Sequence, residues 1–173
     1  MNVIQHPNPA LKQHADEVDP TTDSSLLALA KEMAHAMYSS HGIGLAATQI
    51  GVLKRVIVYD LDDEAGGLAV LCNPQIVSLG EDTELDDEGC LSFPGISIPV
   101  ERSTSVVCAG QTLSGAEVSI KAEGLHARLL QHEIDHLNGV LIIDRATPEE
   151  RRAAMRRYRE ALDRGAVPGQ TTI

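Results

Sequence analysis

Three stretches of the chain carry the hydrophobic periodicity of helices. Residues 24–38 repeat apolar side chains every three or four positions, which gives the stretch one apolar face. A second helix is predicted from after Gly124 through His136. A third, over about 148–164, follows Thr147, a candidate N-cap, and has proline at its first position and glutamates in its first turn. The pattern therefore predicts an N-terminal, a central and a C-terminal helix.

Short runs rich in β-branched residues predict strands between these helices. They cover residues 55–59, 68–72, 75–79, 106–109 and 117–122, and the last two form a hairpin. Strands and helices do not alternate regularly, so the pattern favours an α+β fold over a doubly wound parallel sheet. With 173 residues, no repeats and no linker, the chain is expected to form one domain over residues 1–173.

Composition narrows the classes of function. The formal net charge of -11 disfavours a DNA-binding protein, because affinity for phosphates comes from Lys and Arg. No apolar run approaches the roughly 18 residues of a membrane span, and the N-terminus lacks the features of a signal or transit peptide. Three widely spaced cysteines, Cys72, Cys90 and Cys108, do not form a disulfide framework. We therefore expect a cytoplasmic protein without membrane or DNA partners.

One segment indicates metal chemistry. Residues 131–136 read QHEIDH, so His132 and His136 lie four positions apart in the predicted central helix. That spacing puts both imidazoles on one helical face, where both can reach one metal ion. Glu133 can face the same ion without binding it and act as a general base. Chance would produce the pattern in roughly one sequence in fifty of this composition, so we interpret it as a metal site.

A catalytic site of this kind needs a third protein ligand. No histidine follows His136, and Asp144 does not fall at the spacing that common metalloproteases use. The upstream segment EGCLS offers Cys90, although a single cysteine is by itself more often a buried, inert side chain. Cys72 and Cys108, which lie inside apolar runs, are interpreted as inert cysteines of that kind.

Three segments together resemble the signature motifs of peptide deformylases. They are residues 42–49 (GIGLAATQ), 88–92 (EGCLS) and 131–136 (QHEIDH), in the order and at the spacing of that family. The likeness extends from about Ile4 to Arg145. It implies a metal-dependent hydrolase that removes the formyl group from the N-terminal methionine of nascent polypeptides and releases formate. It also implies mixed or antiparallel strands around a central metal-binding helix.

The resemblance implies a role for each motif residue. The implied ligands of one divalent ion are Cys90, His132 and His136. Fe(II) is the expected native ion, with Zn, Ni or Co as alternatives in preparations, and a thiolate with two imidazoles suits such ions better than Mg or Ca. Glu133 is the implied general base. The Gln49 side-chain amide and the Leu91 backbone N–H are implied to face the formyl oxygen and to stabilise its developing charge.

The substrate's methionine side chain needs an apolar pocket. The resemblance implies that Ile43, Leu125 and Leu129 line it. Gly42 and Gly44 allow close backbone approach, so an extended peptide can pair with this loop like an added strand. The alternative interpretation of the two glycines is a simple turn between a helix and a strand.

Several positions depart from the family pattern or lie beside it. Arg128 stands on the metal helix where relatives often carry an apolar residue, and its stem can border the pocket while its head reaches water or an acid. His41 stands where many members carry an acid or amide, and Arg102 matches an arginine that pairs with that acid in some relatives. Ser97 lies where some members place a larger residue that contacts the substrate backbone. Glu88 is expected to orient the site through hydrogen bonds.

Two other functions compete with the deformylase interpretation. The first is a His-Glu-x-x-His metallopeptidase that cleaves internal peptide bonds, which the cysteine ligand and the missing downstream ligand disfavour. The second is a non-catalytic metal-binding or ribosome-associated module. Three ligands instead of the closed four of structural zinc disfavour it, and Glu133 and Gln49 would have no purpose there.

The C-terminal helix carries the chain's clearest basic surface. Residues 149–164 contain six arginines against four acids. The arginines that recur along the predicted helix are Arg151, Arg152, Arg156, Arg157 and Arg159. One interpretation is contact with ribosomal RNA near the exit of the nascent chain. The alternative, which the sequence favours, is a solvated helix whose arginines pair with Glu149, Glu150, Glu160 and Asp163.

Overall fold

A computed structural model describes residues 1–62 and 66–169 of the chain. In these ranges seven strands form two antiparallel sheets. The strands are β1 (Gly44–Ala46), β2 (Val56–Tyr59), β3 (Ala69–Leu79), β4 (Thr83–Gly89), β5 (Ser97–Ser103), β6 (Ser105–Gln111) and β7 (Glu117–Glu123). The larger sheet has the order β1-β2-β3-β6-β7, and β4 pairs with β5 in the smaller one. The predicted α+β fold is confirmed.

Four α-helices accompany the sheets in the described part of the chain. They are α1 (Leu26–Ser39), α2 (Gly124–Leu137), α3 (Ile142–Arg145) and α4 (Pro148–Asp163), and two 3-10 turns cover Pro9–Lys12 and Ala47–Ile50. The central helix α2 lies against strands of both sheets. No helix among the described residues is both long and apolar enough to cross a bilayer.

The predicted helices agree with the structure, and the capping residues explain one of their starts. Thr147 Oγ1 accepts a hydrogen bond from the Glu150 N–H at 3.2 Å, and the Glu150 carboxylate accepts one from the Thr147 N–H at 2.9 Å. This reciprocal pair satisfies two backbone donors at the start of α4. Glycine at position 124 has a φ of +55°, a left-handed conformation that suits it to the sharp change from β7 into α2.

The strand predictions were only partly correct. Residues 68–72 and 75–79 were predicted as two strands, but they belong to the single strand β3. Its pairing with β6 shifts register between Cys72 and Gln75 and again between Ile76 and Ser78, so irregular pairing, not a chain break, accommodates Pro74. Strand β5 was not predicted. Its alternation of buried residues was visible, but a proline in the middle of the run disfavoured a strand.

The core is mostly aliphatic, and two of its three buried Phe and Tyr rings lie in one cluster. Leu, Ile, Val, Ala and Met side chains form most of the clusters beneath α1 and α2, one of which also contains Tyr59. A third cluster beside β5 and α4 contains Phe93, Tyr158 and Cys90. The only phenylalanine of the chain therefore lies three residues after the predicted thiol ligand.

Candidate metal centre and active site

Helix α2 and the end of β4 bring the three predicted ligands together. The Cys90 Sγ atom lies 3.3 Å from His136 Nε2, which lies 3.2 Å from His132 Nε2. All three ligand atoms lie within 4.8 Å of one another. Ligand atoms around a tetrahedral ion with bonds of about 2.0–2.3 Å are roughly 3.3–3.8 Å apart. The separations therefore fit one small divalent ion.

A glutamate holds the first histidine in the orientation that a metal ligand needs. Glu88 Oε2 lies 2.9 Å from His132 Nδ1, which leaves His132 Nε2 pointing toward Cys90 and His136. Burial by itself would lower the pKa of His132, but Cys90 and Glu88 outweigh it and raise that pKa well above 6.5. Burial and the nearby His132 lower the pKa of His136 well below 6.5. In the metal-free protein these neighbours therefore favour a cation at this position, either a proton on His132 or a bound metal ion.

Two arginines and an aspartate complete the network around Glu88. Arg102 donates from Nε and Nη2 to the two Glu88 oxygens at 2.8 and 3.0 Å, and from Nη1 to Asp135 at 2.6 Å. Asp135 also accepts from Arg145 at 3.0 and 2.5 Å. Burial would raise the pKa of Glu88, but His132 and Arg102 lower it far below its ordinary value. Glu88 is therefore a fully paired, ionised group.

Arg128 ties α2 to both strands of the smaller sheet. Its guanidinium donates to Glu88 Oε1 at 2.9 Å, to the Val100 carbonyl at 2.8 Å and to the Glu84 carbonyl at 2.8 Å. The stem lines the cavity beside the ligands. The expectation that the head reaches an acid while the stem borders the pocket agrees with this geometry.

The other glutamate of the site has the opposite surroundings. Glu133 is 5% exposed, and its Oε2 atom has no hydrogen-bond partner among the described residues. Burial raises the pKa of Glu133 from 4.5 to about 7. A Cβ atom at Gly44 would lie 2.5 Å from Glu133 Oε1, so glycine at that position leaves the room that the carboxylate occupies.

Gln49 and the turn after Cys90 place hydrogen-bond donors beside the triad. Gln49 Oε1 accepts from the Ala46 N–H at 2.9 Å, and this bond fixes the amide with Nε2 facing Cys90 Sγ at 3.7 Å and Ser92 Oγ at 3.3 Å. The Leu91 backbone N–H lies in the same turn and donates to no described residue. These groups therefore face the same small volume as Glu133.

A cavity of about 150 Å³ opens beside these groups. It brings together all the predicted substrate-binding residues, namely Ile43, Gly44, Leu125 and Leu129. Leu129 is 4% exposed, whereas Leu125 is 58% exposed and stands at the rim. The acidic strand β4 supplies Asp86 and Asp87 to the lining of the same cavity. The lining thus combines two leucines and the polar site residues of α2 with acidic side chains of β4.

Comparison with known proteins identifies the family. The family model described as "Polypeptide deformylase" matches residues 1–152. A peptide deformylase of Thermodesulfovibrio yellowstonii is 40% identical over 92% of this chain and 96% of that protein. Crystal structures of peptide deformylases from Ehrlichia chaffeensis (31% identity, TM-score 0.87, 95% of this chain and 97% of that one) and Legionella pneumophila (38%, 0.86, 93% and 94%) share the fold.

The chain belongs to the polypeptide deformylase family. It is accordingly a metal-dependent hydrolase that removes the N-formyl group from nascent polypeptides, as the resemblance of its motifs implied. This family assignment favours the deformylase over the two alternative functions, a metallopeptidase and a non-catalytic module. Among the described residues, Cys90, His132 and His136 form one cluster that could hold a metal ion.

The positions that differ from the family pattern have other contacts in this chain. Arg102, which matches an arginine that pairs with an acid at position 41 in some relatives, is buried between Glu88 and Asp135. His41 instead stands exposed at the cavity with a φ of +54°. Ser97 does not line that cavity, and its carbonyl accepts a hydrogen bond from Arg157 at 3.3 Å.

Sequence reasoning missed several residues that support the centre. Asp135 and Arg145 were not singled out, although Asp135 lies inside the metal motif. Thr48 was missed as well, and its hydroxyl donates to the His136 carbonyl at 3.2 Å. A polar or charged residue between apolar neighbours indicates a buried polar group, but it does not indicate which residue that group pairs with. The pairing residues lie on other helices and strands.

Proposed function

We propose that Cys90, His132 and His136 hold the catalytic metal of this deformylase and that Glu133 is its general base. The observation that supports this assignment is the buried Glu133 carboxylate, whose Oε2 atom has no hydrogen-bond partner among the described residues and which lines the same cavity as Cys90 and His132. A divalent ion bound there would acidify water toward neutral pH and polarise the formyl oxygen. Glu133 would accept the proton and later deliver it to the leaving amine.

The proposed oxyanion site consists of Gln49 Nε2 and the Leu91 N–H. The Ala46 N–H holds the Gln49 amide in place, so the donor does not have to reorganise as charge develops on the formyl oxygen. The Leu91 N–H has no competing acceptor among the described residues. Both features support a pre-organised pair of donors.

The peptide that follows the formyl-methionine is proposed to pair with β1. This strand lies at the edge of the larger sheet and has β2 as its one neighbour. Ile43 and Gly44 lie at the cavity, so a peptide added along this edge would place its first side chain toward Leu125 and Leu129. The interpretation of the glycines as a docking loop is therefore favoured over the simple turn.

The ligand assignment is tested by removing each thiol in turn. Cys90→Ala should lose bound metal and formate release from a formyl-methionyl peptide, because two imidazoles alone leave the ion weakly held. Cys72→Ala and Cys108→Ala, at two equally buried cysteines, should keep both. One tight metal ion per chain in the Cys90 variant would show that the assignment is wrong.

The native metal is proposed to be Fe(II), because one thiolate and two imidazoles suit it and because an iron–thiolate site is sensitive to oxygen. Metal analysis of protein purified without oxygen should find iron, and activity should fall on exposure to air. Nickel-substituted protein should keep its activity in air. An iron-containing enzyme indifferent to oxygen would contradict the proposal.

We further propose that the enzyme is cytoplasmic and that α4 contacts the ribosome. Within residues 1–62 and 66–169, Arg152, Arg156 and Arg159 are exposed, form no ion pair and lie on one helical face. Pairing within the helix therefore neutralises few of its arginines. Replacing these three with Glu should abolish co-sedimentation with ribosomes at low salt, whereas Lys31→Glu on α1 should not. Binding that is unaffected by the triple change would rule this contact out.

A further inference from the structure

The turn that carries Cys90 is packed against the C-terminal helix through the aromatic cluster. Phe93 stacks on His6 with ring centroids 4.9 Å apart, and Tyr158 lies 5.2 Å from Phe93. Phe93 is 0% exposed and Tyr158 is 2% exposed. The Tyr158 hydroxyl donates to the His6 carbonyl at 2.9 Å, so the buried ring keeps a partner for its polar end.

Two backbone hydrogen bonds also hold the turn that contains Cys90, one within the turn and one from the N-terminal segment. The Phe93 N–H donates to the Cys90 carbonyl at 2.9 Å, and the His6 N–H donates to the Ser92 carbonyl at 3.0 Å. Ser92 Oγ also accepts from Gln49. A shift of the Phe93 ring would therefore move the carbonyl of the proposed metal ligand and the partner of the proposed oxyanion donor.

Helix α4 reaches the residues after this turn at two further points. Gly95 has a φ of +81°, and a Cβ atom there would lie 2.7 Å from the Ala161 side chain, so the backbone of the loop touches the helix. Arg157 donates to the Ser97 carbonyl at 3.3 Å. Two successive turns of α4 thus contact the segment from Phe93 to the start of β5.

The α4 residues that make these contacts lie beyond the end of the family model. The family model ends at residue 152, whereas Arg157, Tyr158 and Ala161 follow it. We infer that Tyr158 is a positioning residue that acts through Phe93 and His6 to hold the Cys90 turn in its metal-binding conformation. The inference rests on the proposed role of Cys90 as a ligand.

The inference is tested on the nickel-loaded full-length protein. Tyr158→Ala removes the ring that supports Phe93, and it should release nickel to a chelator at least about tenfold faster, because the turn opens locally more often. Amide hydrogen exchange over residues 90–97 should accelerate at the same time. Tyr38→Ala makes the same change at an exposed tyrosine of α1 and should leave both rates within about twofold.

A third variant separates positioning from a general loss of stability. Met33→Ala opens a cavity in the core cluster beneath α1 that does not contain Cys90, and it should leave nickel release and exchange over 90–97 near the starting values. If Tyr158→Ala does not fold, Tyr158→Leu replaces it, and this variant should release nickel about threefold faster than the unaltered protein. Unchanged release and exchange in the Tyr158 variant, or equal acceleration in Met33→Ala, would overturn the inference. Failure of the unaltered protein to bind nickel would instead contradict the ligand assignment, and the exchange measurement would still decide the role of Tyr158.

Discussion

Two buried glutamates flank the proposed metal ligands, and their hydrogen-bond partners differ. Both Glu88 oxygens accept hydrogen bonds, from Arg102 twice, from Arg128 and from His132. Glu133, one residue after His132, leaves Oε2 without a partner among the described residues. The pKa of Glu88 is lowered and that of Glu133 is raised.

The contrast separates a structural carboxylate from a reactive one. A buried charge is tolerated when cations and donors surround it, and then it is held fixed and does not exchange its proton near neutral pH. A buried carboxylate without partners costs folding free energy, but its pKa near neutrality suits it to accept and return a proton. Strand β4 therefore supplies the carboxylate that holds the site together, and α2 supplies the carboxylate that we propose takes part in the chemistry.

The largest effect on turnover is expected for Glu133, the glutamate with an unpaired oxygen. Glu133→Ala should keep its metal and lose at least about a hundredfold in turnover, the usual scale for a general base. Formate release and metal content are measured on the same sample. Asp87→Ala, at an exposed carboxylate on the wall of the cavity, should turn over normally. Near-normal turnover of the Glu133 variant would remove the distinction between the two glutamates.

Removing the cation that pairs with Glu88 should instead lower the free energy of unfolding. Arg102→Met leaves Glu88 and Asp135 without their shared cation, and the free energy of unfolding should fall by about 3–5 kcal/mol. Urea unfolding measures the change. Arg152→Met, at an exposed arginine, should change it by less than about 0.5 kcal/mol. Equal stability of the two variants would mean that the network around Glu88 contributes nothing to the fold.

A loss of turnover on the same scale is expected for the proposed oxyanion donor. Gln49→Ala should keep the metal and lower the turnover number on the order of a hundredfold, because about 3 kcal/mol of transition-state stabilisation is lost, with little change in the Michaelis constant. Steady-state kinetics separate the two parameters. A raised Michaelis constant with unchanged turnover would mean that Gln49 only binds the substrate.

The smallest effect is the pH dependence that Glu133 gives to the metal-free protein. The folded pKa of this carboxyl, about 7, exceeds its ordinary value of 4.5, so the folded state binds more protons between these values. Stability should therefore fall as pH rises from 4.5 to about 7, by an amount on the order of 2–3 kcal/mol. Urea unfolding of Glu133→Gln should lack this fall. A pH profile identical in both proteins would place the titrating group elsewhere.

Local sequence determined the elements that carry the ligands. The four-residue spacing of His132 and His136 puts both rings on one face of any helix, and Thr147 with Glu150 starts α4 wherever that helix packs. The three family motifs were sufficient to predict the activity and to single out Cys90 from three cysteines. The helical features depend on residues a few positions apart, which is the range over which backbone periodicity acts, whereas the activity and the choice of Cys90 rest on the resemblance to the family.

Only the tertiary structure decided which charges meet. Arg102 lies 14 residues from Glu88 and 33 from Asp135, and Arg128 lies 40 residues from Glu88. The pairing of β4 with β5 and the packing of α2 against them bring these groups together, and no local pattern encodes that packing. Tyr158 is 65 residues from Phe93 in the sequence, yet their rings pack beside Cys90. Because burial makes an unpaired charge costly and a buried ring rigid, the fold determined which side chains hold the site and which one is left to react.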